Sequence, residues 1–213
     1  MHPEPIRVAY HSVTSTIPFI LPPGDSTNPP PDIVLHIGLA ASRSFYALEQ
    51  GAHSRGYGKT ADVDGQLFED EKAEDLFAEQ EYPNTLHTTF NTSDVLARWR
   101  TYLGYTNPDG EAGIEQLPDV RLNPDAGNFL CGFIYWNSLA HYFRHGGGVG
   151  ERPVAFMHVP DLSGSEGRLR EGWEVAVALI KALVESRRKV GVGFDDVEGV
   201  ERRQADDEAN NRS

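Results

Sequence analysis

Cysteine is nearly absent from this chain: Cys131 is the only one in 213 residues. A single thiol cannot close an internal disulfide, and it cannot supply a zinc cluster built from several thiolates. Positive charge is also scarce. Lys+Arg 19 against Asp+Glu 32 leaves a formal net charge of −13. That balance argues against non-specific nucleic-acid binding, because most of the surface would repel a phosphate backbone. Long hydrophobic runs are missing as well. The longest, such as Val154–Met157 and Val175–Ile180, are far too short to span a bilayer. The opening Met-His-Pro-Glu-Pro has no basic region followed by an apolar run, so no signal peptide is expected and a reducing, cytoplasmic setting is the default. No Gly-x-Gly-x-x-Gly or Walker loop occurs, and Gly146–Gly148 follows a predicted helix instead of joining a strand to one.

What remains is ordinary globular composition, 39% hydrophobic and 24% charged, at a length that fits one domain. That domain is expected over residues 1–190. Ile6–Tyr10 reads as a short strand and Ser12–Leu21 as a short helix. The stretch from Leu21 to Asp32 is proline-rich and reads as a loop. Ile33–Gly38 is the clearest strand, apolar enough to be covered on both faces. A short connection then leads to Glu49. Residues 61–85 read as a solvated acidic insertion, with nine acids from Asp62 to Glu81 opposed only by Lys72.

Ser93–Tyr102 has helical spacing, with Ser93 as its cap, and Asn107–Gly113 is a turn cluster. Val120–Leu122 is a short strand. Phe129–Phe143 forms a helix ended by Gly146–Gly148, and Val154–Val159 forms a buried strand ended by Pro160. Leu169–Ser186 is the strongest helix, and residues 191–213 read as an acidic, disordered tail. Strands alternating with helices predict an α/β layer structure with a mostly parallel sheet.

Three side chains stand out for chemistry. Cys131 falls just inside a predicted helix start, where free N–H groups and the helix dipole favour a thiolate. A lone intracellular cysteine is equally at home as a small buried apolar residue. His158 ends a predicted strand, where active groups of open α/β sheets gather, and an imidazole there can serve a thiol as general base. Local hydrogen bonding alone would also explain it. A carboxylate could complete the set by orienting the imidazole, and Glu49 and Asp62 are the two candidates.

Several stretches, in order, resemble the pyroglutamyl-peptidase I family of cysteine peptidases. Pro31-Asp32-Ile33-Val34-Leu35-His36-Ile37-Gly38-Leu39-Ala40, then Arg43 and Leu48-Glu49, is similar to the segment bearing the family's acidic residue. Asp125-Ala126-Gly127-Asn128-Phe129-Leu130-Cys131, continuing through Trp136, is similar to its nucleophile motif, and Phe156-Met157-His158-Val159-Pro160 to its histidine motif. The resemblance implies a three-layer α/β/α sandwich with a mostly parallel central sheet. It implies removal of an N-terminal pyroglutamyl residue from peptides, with Cys131 as nucleophile, His158 as base and acid, and Glu49 as the orienting carboxylate. Phe129, Leu130 and Leu39 match positions at or near the ring pocket. No metal and no organic cofactor are implied. The expected partner is a peptide with an N-terminal pyroglutamate, with no nucleic acid and no membrane. The oligomeric state stays open. One departure is plain: the family's N-terminal strand and Gly-Phe-x-Pro-Phe loop have no counterpart here, so the first strand of the family is expected to be missing. A catalytically impaired relative acting as a binding protein is the alternative expectation.

Overall fold

The computed structural model describes residues 5–21, 30–106, 117–148 and 150–193. The turn expected at Asn107–Gly113, most of the loop after Leu21 and the tail from residue 194 lie outside them.

Among the described residues six strands and five helices follow in chain order: α1 (Tyr10–Ile20), β1 (Val34–Leu39), β2 (Tyr46–Glu49), β3 (Gly51–His53), α2 (Asp70–Leu76), β4 (Thr85–His87), α3 (Thr92–Tyr102), β5 (Val120–Asn123), α4 (Leu130–His145), β6 (Val154–Val159) and α5 (Glu166–Lys189). The central sheet runs β1-β6-β2-β5, and β3 pairs with β4 in a separate two-stranded ribbon. β1 lies parallel to β6 and β2 parallel to β5, while β2 and β6 are antiparallel. The sheet is thus mostly parallel but mixed, as expected of the α/β class.

Helices cover both faces. Along β6 the side chains alternate: Val154 and Phe156 join a core with α1, α2 and α4, whereas Ala155 and Met157 join one with α3 and α5. This is the period-two division of a strand buried on both sides. The three-layer sandwich follows from it. On one side Trp99 of α3 donates its indole N–H to the Val175 carbonyl of α5 at 2.9 Å, tying the two outer helices together. On the other, Tyr135 of α4 donates to the Glu49 carbonyl at 3.1 Å.

The structure corrects several sequence expectations. Ile6–Tyr10 is not a strand; Tyr10 opens α1 instead. The reason lies far along the chain. The α1 cap position, Ala9, has no side-chain oxygen to offer. Asp62 substitutes by accepting the Tyr10 N–H at 2.9 Å through Oδ2, while its Oδ1 takes the N–H groups of Asp64 and Gln66, each at 2.9 Å. Residues 61–85 are likewise not a solvated insertion: Phe68, Ala73, Phe77 and Tyr82 are buried in the α1/α4 core. Apart from the buried Asp62, the acids face outward, and the aromatic residues between them carry the packing.

β1 is covered only in part, Val34 packing on the α1/α4 core and Leu35 on the α3/α5 core. It is an edge strand, and Ile37 and Leu39 toward its end are exposed. The connection before Glu49 contains the fully buried strand β2, too short and too mixed in sequence to show a period. The cap of α3 is Asn91, whose Oδ1 accepts from Asp94 N–H at 3.0 Å, and not Ser93. Elsewhere β6 spans the expected residues, and α4 and α5 cover the expected helices with slightly longer ends.

Candidate active site

The site gathers where β1, β6 and the start of α4 meet. β1 and β6 run side by side, so Gly38 pairs with His158. α4 begins at Leu130, which makes Cys131 its second residue. The first amides of any helix have no intrahelical partner, and the cap residue here, Phe129, provides no side-chain acceptor for them. Glycine is required at two places. A Cβ at Gly38 would lie 2.7 Å from Phe156 Cζ and 2.9 Å from Cys131 Sγ. At Gly132 a Cβ would collide with the Gly127 carbonyl, so only glycine lets the loop before α4 fold against its first turn. Gly127 itself adopts φ +84°, in the left-handed region.

His158 and Glu49 form the polar centre. Nδ1 of His158 lies 2.7 Å from Glu49 Oε1. Glu49 is fully buried, and three donors surround its carboxylate. Arg43 donates to Oε1 at 2.6 Å, His158 donates to the same oxygen, and Asn123 donates to Oε2 at 2.6 Å. Asn123 is held in turn by donating to the Asp125 carbonyl at 2.5 Å. Hydrogen bonds from this many donors, one of them a guanidinium, hold the buried carboxylate in place. With Nδ1–H directed at Glu49, the His158 Nε2 lone pair is left for another partner. The ring packs against Phe156, with centroids 4.8 Å apart.

The thiol is protonated at rest. Burial pushes the Cys131 thiol up to about 11; the nearby Glu49 charge adds to this and Arg43 opposes it. This reverses the thiolate that the helix start alone suggests. Desolvation outweighs the helix dipole here. Cys131 makes no hydrogen bond among the described residues.

The other expected residues divide. Leu39 is exposed at the end of β1, and Phe129 is exposed at the cap of α4, two residues before Cys131. Leu130 is buried in the core. Asp62, the second carboxylate candidate, serves the α1 cap and is taken up entirely by backbone donors. Asn123 is the residue that sequence reading missed as part of the site. Its only signal was its place at the end of a short strand. His36 is a half-buried polar residue of β1: its Nε2 lies 2.8 Å from Ser138 Oγ of α4, and desolvation lowers its pKa to about 4, so it is neutral at pH 7.

The fold is that of the pyrrolidone carboxyl peptidases. The Thermococcus litoralis enzyme superposes with a TM-score of 0.61 at 19% identity, covering 85% of this chain and 76% of that one. The Pyrococcus furiosus enzyme gives 0.61 at 19% identity, covering 88% and 81%. In sequence, the chain is 26% identical over 162 residues to human pyroglutamyl-peptidase 1. That match takes in 76% of this chain and 63% of the human protein, so the chain spans somewhat less than two thirds of that relative's length. No family model matches. Sequence and fold point the same way: the chain is similar in sequence to human pyroglutamyl-peptidase 1 and shares the fold of the pyrrolidone carboxyl peptidases. No helix among the described residues is long and apolar enough to cross a membrane.

Proposed function

We propose that this protein is a cysteine peptidase that hydrolyses the N-terminal pyroglutamyl residue from peptides. The observation that carries the reading is the 2.7 Å contact of His158 with a fully buried Glu49, set beside the Cys131 sulfur across Gly38.

Because the thiol is neutral at rest, His158 acts as a general base during attack. Nε2 takes the thiol proton as the sulfur bonds to the carbonyl carbon that follows the lactam ring. Glu49 keeps Nδ1 protonated and stabilises the imidazolium that forms. Negative charge grows on the carbonyl oxygen and is met by amides of the first α4 turn, among them that of Cys131. As the tetrahedral intermediate collapses, the C–N bond breaks and the imidazolium passes its proton to the leaving amine. A thioester remains. Water attacks it with His158 again as base, releasing pyroglutamate and restoring the thiol. Phe129 and Leu39 border the space for the ring, a neutral, compact group suited to apolar walls with a few fixed hydrogen-bond partners. A nucleophilic thiol of this kind belongs in a reducing compartment such as the cytoplasm.

The test is release of the chromophore from a pyroglutamyl arylamide. Turnover is expected, and it is expected to vanish in Cys131→Ala and after iodoacetamide treatment. A cooperatively folded protein that shows no turnover at high enzyme concentration overturns the proposal.

A further inference from the structure

Helix α4 carries more than the thiol at its start. Near its far end, about 15 Å along the axis from Cys131, it brings two imidazoles together. His141 and His145 are four positions apart and so share one face of the helix. Their ring centres lie 4.2 Å apart, with the planes tilted by 37°. His145 is exposed and His141 is half-buried, so solvent reaches both. The negative end of a helix favours cations, which accounts for one histidine in the last turn beside Arg144. It does not account for two rings held against each other, because two imidazolium charges at this spacing would repel.

Two histidines at i and i+4 form a chelating pair when a nitrogen of each keeps its lone pair. Nδ1 of His145 lies 2.7 Å from the His141 carbonyl oxygen. A carbonyl only accepts, so Nδ1 carries the proton and Nε2 keeps its lone pair. The same bond fixes the ring, as the outer hydrogen bond of a metal-bound histidine does. The His141 ring has no hydrogen-bond partner among the described residues; its contacts are with the rings of Tyr142 and His145. Desolvation and the neighbouring His145 lower its pKa to about 4, so no proton has to leave it at pH 7. A tetrahedral ion with metal–nitrogen bonds of about 2.05 Å holds two ligand nitrogens roughly 3.3 Å apart, within reach of rings this close. Arg144, the cation next to the pair in sequence, lines a groove with Glu81 and Tyr82.

We propose that His141 and His145 bind one transition-metal dication of the zinc, nickel and copper class, with water completing its coordination. Imidazole nitrogen suits these ions, whereas magnesium and calcium prefer oxygen ligands. The rival cluster is weaker. His11, Asp62 and Asp64 also lie together, but three amides occupy Asp62 and Arg7 pairs with Asp64, so a cation there would meet a guanidinium. The His141/His145 site lies well away from the reacting atoms and has no part in the hydrolysis. With two protein ligands instead of four, dissociation is expected at about 1–100 µM.

Calorimetric titration with NiCl₂ and with ZnCl₂, after EDTA treatment, tests the site. The Cys131→Ala protein is used so that the thiol cannot bind the ion. One ion per chain is expected to bind through the pair, and about 1 mM NiCl₂ should raise the melting temperature by about 5 °C. His141→Ala and His145→Lys should each weaken that binding at least ten-fold. Lysine keeps a cation at the helix end, so His145→Lys should melt near the parent temperature without metal yet lose the rise with it. Magnesium should produce neither heat nor stabilisation. No uptake of nickel or zinc at 1 mM overturns the proposal. So does an affinity that survives either substitution undiminished, which would assign the ion to other groups, or magnesium binding as tightly as nickel, which would assign it to carboxylates.

Discussion

Replacing Glu49 with glutamine tests the reasoning about the site most sharply, because the change is nearly isosteric. The wild-type carboxylate accepts from three donors: Arg43 and His158 on Oε1, and Asn123 on Oε2. Glutamine offers one oxygen and one NH₂ group, so two orientations arise. With the amide oxygen facing Asn123, the NH₂ group opposes the Arg43 guanidinium and forces His158 Nδ1 to accept. The imidazole proton then sits on Nε2, where it blocks removal of the thiol proton.

With the oxygen facing His158 and Arg43, the NH₂ group meets the NH₂ of Asn123. Asn123 cannot turn over without aiming its own oxygen at the Asp125 carbonyl, to which it now donates at 2.5 Å. Either way a buried donor loses its acceptor, at a cost of about 1–3 kcal/mol in stability. The wrong tautomer, or the lost charge opposite the imidazolium, is expected to lower kcat by about 10³–10⁴. The assay is arylamide hydrolysis at saturating substrate, with the melting temperature measured in parallel. A Glu49→Gln protein that melts cooperatively and keeps more than about a tenth of the wild-type kcat would refute the orienting role.

Three further outcomes follow from the same geometry. The Cys131 thiol titrates near 11 in the folded chain against an ordinary value of 9, so the native state holds its proton more tightly. Stability is therefore full below pH 9 and declines as pH rises from 9 toward 11, by an amount of order 2 kcal/mol, read by denaturant titration at the two ends. Cys131→Ala should remove that decline, and a wild-type decline unchanged in the variant would count against the buried thiol. Gly38→Ala should cost about 1–3 kcal/mol and suppress turnover, because the new methyl group presses on Phe156 and the Cys131 sulfur together; unaltered activity would place the sulfur elsewhere. Asp62→Ala should lower the melting temperature yet leave kcat close to wild type, as expected of a helix cap and not of a catalytic acid. Burial works to raise the Asp62 pKa, but the N–H groups of Gln66, Tyr10 and Asp64 prevail and hold it below the ordinary range. Its stabilisation is thus present above about pH 4 and fades as the pH falls further, visible as a wild-type acid transition that the variant lacks.

Much of this protein was legible in its sequence because the decisive signals are local. The short apolar run Val154–Met157, followed by Pro160, read as a buried strand, and the Gly127-to-Cys131 stretch before a long apolar helix already put the thiol at a helix start. The ordered motifs around Glu49, Cys131 and His158 singled out three residues that the fold then brought to one end of the sheet. Tertiary structure alone decided what depends on neighbours distant in the chain. It drew Asp62 away to cap a helix fifty residues earlier, buried Glu49 on a four-residue strand too short to show a period, and added Asn123 to its donors. It also set the protonation of Cys131: helix position favours the anion, but the desolvation that overrides it comes from packing, which no stretch of sequence carries by itself.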